Sequence, residues 1–388
     1  MNDNITPYVR YIGADDKDLD LFESQYVVPQ GISYNSYVIT DEKIAVMDTI
    51  DQRKTEEWTV RLEEALEGRT PDYLIVQHME PDHAANIGWF AEKYPEATIV
   101  ASAKAIQMMP QFFEEVNFAG RTQAVKEDTL CLGQHTLKFI MAPMVHWPEV
   151  MLTYEESEKI LFSADAFGKF GALCHEGEWI DEARRYYFNI VGKYGAQVQA
   201  LLKKAAGLDI AMICPLHGPV LKENLGYYIG LYDTWSKYEP ETEGVVVAYA
   251  SIHGNTAAAA RRMAEILSEK GAAEVMLIDL CRDDMALAVE SAFRYSKMIV
   301  AASSYDAGVF PPMFDFLHHL QIKNFQKRRV GIIENGSWAP TAGRMMSCML
   351  SEMKNMEIME HMVTIKSSMK KADLLQMEEL AEELLATE

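Results

Sequence analysis

The stretch Leu74-Ile75-Val76-Gln77-His78-Met79-Glu80-Pro81-Asp82-His83 constrains this chain more than any other. Tyr73 to Val76 is an apolar run of strand length. Two imidazoles and two carboxylates, His78, Glu80, Asp82 and His83, then fall within six residues. A strand end is a rigid base from which a loop can converge several side chains on one point. Pro81 fixes its own φ, so less entropy is lost when ligands on that loop assemble. His78, Glu80 and Asp82 alternate while His83 adjoins Asp82, so the four point in different directions and suit two metals better than one. Taken singly, each reads as an ordinary polar loop residue.

Three later strand ends repeat the pattern. His135 to Ile140 leads into Pro143-Met144-Val145-His146-Trp147-Pro148, where a histidine again follows an apolar run and is held between prolines. Ile160-Leu161-Phe162-Ser163-Ala164 ends on Asp165, and Ile210 to Cys214 runs into Pro215-Leu216-His217. One such coincidence means little, whereas four strand ends with metal-compatible side chains make a site. The five cysteines are scattered and form no CxxC pair, which suits a reducing compartment and gives no zinc or iron–sulfur knuckle.

The chain has 388 residues, comfortable for two domains. Its 36 basic and 58 acidic residues give a net charge of −22, which argues against nucleic acid or an anionic membrane as partner. No apolar stretch approaches transmembrane length, and the N-terminus lacks the basic and apolar regions of a signal peptide. A cytoplasmic protein is expected.

Residues 1–240 alternate short strands with helices, among them a hairpin around Asp41-Glu42, a helix over Lys54–Leu66, and a long helical run from Asp181 to about Ala206. The acidic, Pro- and Gly-containing stretch Tyr238-Glu239-Pro240-Glu241-Thr242-Glu243-Gly244 reads as a linker. Residues 245–388 then alternate strand and helix, which means a parallel, doubly wound sheet. Ligands bind such sheets at the carboxyl ends of the strands. Three loops qualify. Ser251-Ile252-His253-Gly254-Asn255-Thr256 offers hydroxyls, backbone N–H groups and a helix N-terminus to a phosphate monoester, without the lysine of a nucleoside-triphosphate loop. Ser303-Ser304-Tyr305-Asp306-Ala307-Gly308 and Asn335-Gly336-Ser337-Trp338 each carry an aromatic, so the pair can sandwich a planar heterocycle. Alternatively, Gly-Asn-Thr is a common turn and Trp338 a core residue.

The order His78-x-Glu80-x-Asp82-His83, His146, Asp165 and His217, followed by these three loops, resembles the flavodiiron proteins (A-type flavoproteins). Tyr34-Asn35-Ser36-Tyr37, Asp165-Ala166-Phe167-Gly168-Lys169-Phe170-Gly171 and Arg184-Arg185-Tyr186-Tyr187 support the resemblance, which spans nearly the whole chain. It implies an α/β architecture: an N-terminal metallo-β-lactamase-like αβ/βα sandwich followed by a flavodoxin-like doubly wound parallel sheet. It implies two iron atoms, a non-haem diiron centre. One iron takes His78, Glu80 and His146, the other takes Asp82, His83 and His217, and Asp165 bridges. The three loops would bind FMN. Members reduce O2 to water, NO to N2O, or both, with electrons from rubredoxin or a similar carrier. The implied assembly is a head-to-tail homodimer or a dimer of dimers, which would set each flavin against the partner's irons.

Hydrolytic relatives typically carry His where Glu80 sits, and a carboxylate there suits iron better than zinc. Two rival readings remain: a dizinc hydrolase with a flavodoxin-like docking module, and an electron carrier whose metal half is structural. The sequence leaves open the choice between O2 and NO and the roles of His175, Tyr186 and Tyr187. Any donor is expected to be a separate protein, because the CxxC pairs of a fused rubredoxin are missing and no flavin-reductase domain is appended.

Overall fold

Apolar runs with both faces buried form the interior of this protein, as layered α/β architecture requires. The computed structural model describes residues 4–175 and 177–386. They divide into two compact units, Met1–Tyr187 with Ala196–Tyr232, and Phe188–Gly195 with Asp233–Glu388.

In the first unit a six-stranded sheet runs in the order Val9–Tyr11, Tyr37–Thr40, Ile44–Met47, Tyr73–Val76, Thr98–Ser102, Thr122–Val125. A five-stranded sheet runs Thr129–Cys131, Thr136–Met141, Met151–Glu155, Ile160–Phe162, Met212–Cys214. Alternate residues of both, such as Ala45 and Met47 of one and Leu137 and Phe139 of the other, meet in one apolar cluster, so the sheets pack face to face. Helix Thr55–Leu66 has its own buried stripe of Trp58, Leu62, Ala65 and Leu66, and Trp58 Nε1 donates to Ser36 Oγ beside the six-stranded sheet. On the five-stranded sheet, Leu152, Leu161 and Ile213 share an apolar crevice with Val198 and Leu201 of helix Gly195–Ala205. This is an αβ/βα sandwich.

In the second unit the parallel strands follow the order Val275–Asp279, Thr242–Ala250, Tyr295–Tyr305, Arg329–Asn335, with Glu357–Ile358 and Val363–Ile365 both paired to Arg329–Asn335. Helices Asn255–Glu269 and Lys371–Leu385 share a core with Val245, Val247 and Tyr249. Helices Met285–Arg294, Pro311–Ile322 and Ala342–Ser351 complete a doubly wound, flavodoxin-like arrangement. Among the described residues no helix is long and apolar enough to cross a membrane.

Two local expectations differ from the structure. The helical run from Asp181 to about Ala206 is broken into helix Trp179–Tyr186, a π turn over Tyr187–Val191, a 3-10 turn over Gly192–Tyr194 and helix Gly195–Ala205. The Tyr238 hydroxyl holds the second part of the break: it accepts from Gly195 N–H at 3.1 Å and donates to the Gly192 carbonyl at 2.9 Å, replacing the regular ladder there. Gly195 has no room for a Cβ, which would lie 2.4 Å from the Ser236 carbonyl oxygen. The stretch Tyr238–Gly244 is not a loose tether either. Tyr238 is buried, and strand Thr242–Ala250 already includes Gly244. A Cβ on Gly244 would come within 2.8 Å of the Glu274 carbonyl oxygen, so this glycine serves close packing rather than flexibility.

Candidate functional site

Four strands of the first unit end on one point. Tyr73–Val76 leads to His78, Thr136–Met141 to His146, Ile160–Phe162 to Asp165, and Met212–Cys214 to His217. The segment after Val76 is not a plain loop, because Pro81–Ala84 forms one helical turn with Pro81 at its start and Glu80 as its N-cap. That turn separates directions: His78 and Glu80 serve one group, Asp82 and His83 the other.

His78, Glu80, His146 and Asp165 bring one potential donor atom each within 4.8 Å of the others, and so do Asp82, His83 and His217. Asp165 Oδ2 lies 3.2 Å from His78 Nε2 and 3.3 Å from His146 Nε2. Its Oδ1 faces the second group, 3.3 Å from His83 Nε2 and 3.7 Å from His217 Nε2. One carboxylate is therefore shared between the groups, as a bridging ligand must be. Glu80 Oε2 sits 3.2 Å from His78 Nε2 and 3.1 Å from His146 Nε2, and Asp82 Oδ2 sits 3.1 Å from His83 Nε2 and 3.2 Å from His217 Nε2.

The donor set fits metal. His217 Nδ1 donates to the Ser33 carbonyl at 2.7 Å, so in neutral His217 the Nε2 lone pair points into the site. There it meets His83 Nε2 at 3.0 Å, a contact that needs a proton or a cation between the rings. Asp82 Oδ1, His146 Nε2 and Asp165 Oδ1 are buried without hydrogen-bond partners among the described residues. Without metal, protons take the cation's place. Burial alone would depress His83, but Asp82 and Asp165 outweigh it and hold His83 up at about 10. His146 is held at about 9 in the same way, burial being outweighed by Asp165 and Glu80.

The remaining sequence signals find physical roles. Asn35 of Tyr34-Asn35-Ser36-Tyr37 donates to the carbonyls of Pro215 and Gly218, both at 2.8 Å, clamping the backbone around His217. Tyr37 adds a hydroxyl bond to Pro215 at 2.9 Å. Tyr186 is buried with its ring 5.5 Å from His217, while Tyr187 packs 5.0 Å from Tyr232 and His175 is exposed. Burial and then the carboxylates of Asp165, Asp82 and Glu80 raise the Tyr186 phenol well above its ordinary value. Sequence reasoning passed over Glu149, which is buried and hydrogen-bonded to His78, and Asp48, which accepts from the backbone and side chain of Gln77 at 2.7 and 2.9 Å. Burial pushes Asp48 up to about 6. The available signal was an acid set against an apolar run in each case, Met47-Asp48 and Glu149-Val150.

In the second unit a cleft of about 560 Å³ opens at the carboxyl ends of the parallel strands. Ser251, His253, Asn255, Thr256, Ser303, Ser304, Tyr305, Asp306, Ala307, Asn335, Gly336, Ser337 and Trp338 all line it. Ile252, Ala339, Thr341 and Ser367 join them. Gly254 and Gly308 do not line the cleft and act on backbone shape instead. Gly254 takes φ +89° immediately before helix Asn255–Glu269, a conformation that favours glycine. Gly308 closes a hairpin on Tyr305, with Asp306 and Ala307 both at positive φ between them. Trp338 is 90% exposed, which excludes it from the core.

A carboxylate shared between two clusters that could each hold a metal, on an αβ/βα sandwich followed by a flavodoxin-like unit, defines a two-domain class of protein. The model of the ODP family beta lactamase matches residues 32–218. An uncharacterized protein of Methanocaldococcus jannaschii is 30% identical over 318 residues, 80% of each chain. The anaerobic nitric oxide reductase flavorubredoxin of Aliivibrio fischeri is 29% identical, over 87% of this chain and 70% of its own. Among solved structures, the rubredoxin oxygen:oxidoreductase of Desulfovibrio gigas superposes with a TM-score of 0.92 at 25% identity, covering 98% of this chain and 97% of that one. The chain belongs to the flavodiiron protein family.

Proposed function

We propose that this protein is a diiron flavoprotein reductase that reduces O2 to water, NO to N2O, or both. FMN occupies the cleft of the second unit and two non-haem irons occupy the paired clusters of the first. The observation that carries this reading is the division of Asp165, one oxygen toward each cluster, with Glu80 completing one and Asp82 the other. One iron then takes His78, Glu80 and His146, and the second takes Asp82, His83 and His217. Each position combines imidazole with carboxylate oxygen, a donor set suited to iron. The names of the relatives, a rubredoxin oxygen:oxidoreductase and a nitric oxide reductase flavorubredoxin, support the same class of chemistry.

When bound, FMN supplies one-electron transfer from a carrier protein and the iron pair supplies two adjacent reducible centres for a diatomic substrate. The chain's own residues control access and environment. Glu80, partly exposed, and His146, nearly buried, form the open edge of the site, whereas His78, His83, Asp165 and His217 are sealed. Phe22, Tyr34 and Tyr186 surround His217 with ring centroids at 5.4, 6.0 and 5.5 Å, excluding water from that side. In the cleft, the turn at Gly254 aims the N-terminus of helix Asn255–Glu269 at a phosphate, with Ser251 and Thr256 as neutral donors. Tyr305 and Trp338 bracket the place of a planar ring.

The donor in this reading is a separate rubredoxin-like protein, the location is the cytoplasm, and the working form is a head-to-tail homodimer. A fully active monomer by light scattering at micromolar concentration would exclude that assembly. The functional test is metal and flavin content of protein purified without added metal, followed by mixing of the anaerobically reduced protein with O2 or NO. Two irons and one FMN per chain, with consumption of either gas, are expected. Two zincs from cells grown with ample iron would point to a hydrolase, and FMN without metal to an electron carrier.

A further inference from the structure

The histidines of the centre are not backed alike. His78 Nδ1 lies 2.8 Å from Glu149 Oε1, and the same oxygen accepts the Met79 N–H at 2.9 Å. His217 Nδ1 donates to a neutral carbonyl, that of Ser33. His83 Nδ1 has no hydrogen-bond partner among the described residues. One metal position thus has an imidazole hydrogen-bonded to a carboxylate, and in the other the only such partner of His83 and His217 Nδ1 among the described residues is a peptide carbonyl.

Glu149 is 1% exposed, and its Oε2 has no hydrogen-bond partner among the described residues. Its only ion pair among them is with His78, so no lysine or arginine balances it. Burying a carboxylate so incompletely is costly unless a cation compensates it. The one route to a cation runs through His78, whose Nε2 faces Glu80 and Asp165 in the metal cluster. A carboxylate on Nδ1–H fixes the tautomer and draws electron density toward Nε2, making the imidazole a stronger donor. A carbonyl does the first and little of the second.

We propose that Glu149 is a positioning residue that makes the two metal positions unequal, strengthening the His78–Glu80–His146 position over the Asp82–His83–His217 position through His78. This rests on both clusters being metal sites. The competing role is structural, since Glu149 also anchors the loop through Met79 and through Ser102 Oγ, which donates to its carbonyl at 2.7 Å. Glu149→Gln separates the two roles: the amide oxygen can still accept both N–H groups while the charge is removed.

The experiment titrates the metal-free full-length protein anaerobically with Co²⁺, following its visible absorption against a competing chelator. Wild type is expected to fill two positions in unequal steps. Glu149→Gln should weaken the tighter step by about 10–100-fold and leave the other unchanged, the second step showing that the fold around the centre is intact. Equal steps in wild type, equal weakening of both steps in the variant, or no weakening would overturn the assignment. A wild-type protein that takes up no Co²⁺ would overturn the two-metal reading and this assignment with it. Proton NMR of the cobalt-loaded wild type gives a check independent of any variant's folding. The His78 Nδ1–H should appear as the slowest-exchanging hyperfine-shifted signal in D2O, and its immediate loss would count against the assignment.

Discussion

Replacing Arg328 with Met is expected to destabilise the second unit by about 4 kcal/mol. Arg328 is a buried guanidinium whose partners are backbone carbonyls. Nε donates to Tyr295 at 2.7 Å, Nη1 to Tyr238 at 2.8 Å and to Gln326 and Lys327 at 3.1 Å each, and Nη2 to Phe293. Burial pushes its pKa down to about 10. The bonds to Tyr295, Tyr238 and Phe293 are fully buried. At roughly 1.5–3 kcal/mol for each bond to a charged donor, their loss comes to about 5–9 kcal/mol. Methionine returns roughly 2–4 kcal/mol, by removing a buried charge and by packing on the Phe325 ring that now lies 5.7 Å from the guanidinium. For a unit of this size the balance corresponds to a fall of about 10 °C in its calorimetric midpoint. Arg328→Lys should be no milder, because an ammonium keeps the cost of a buried charge and cannot fork to five carbonyls. A midpoint within about 3 °C of wild type for the Met variant, or a Lys variant close to wild type, would refute the view that the fork holds these backbone segments together.

Glu80→His should shift metal content from iron toward zinc and abolish gas consumption while FMN stays bound; retained iron and activity would remove Glu80 from the ligand set. Trp338→Ala should leave the unfolding midpoint unchanged, since the ring is 90% exposed, yet weaken FMN binding by about tenfold in a fluorescence titration. Unaltered affinity would take Trp338 out of the flavin site. In the metal-free protein, His83 at about 10 and His146 at about 9 are protonated at neutral pH, and a metal must displace those protons. Metal affinity should therefore rise with pH from 6 to about 9, by roughly tenfold per unit for each imidazole displaced. Calorimetry in buffers of different ionisation enthalpy should count the released protons, and a count of zero would refute the raised imidazoles.

What could be read from the chain, and what could not, follows from where each residue's partner lies. His78, His146, Asp165 and His217 were legible because each sits just past its own apolar run, so a local pattern announces a strand end and a side chain with nowhere apolar to go. The cleft loops were legible for the same reason, being the turns of a regular strand–helix alternation. The break before Gly195 was invisible because the Tyr238 hydroxyl that holds it comes from more than 40 residues away in sequence. Glu149 escaped notice on similar grounds: its partner His78 is 71 residues earlier, and the apolar run that begins at Val150 does not by itself mark the acid as buried. Gly244 shows the sharper difficulty. Glycine beside acid and proline is the composition of a tether, yet a glycine forced by the close approach of Glu274 and Tyr295 looks the same in a sequence. Composition reports which conformations a residue permits, and only the packing around it decides whether that permission is used for motion or for contact.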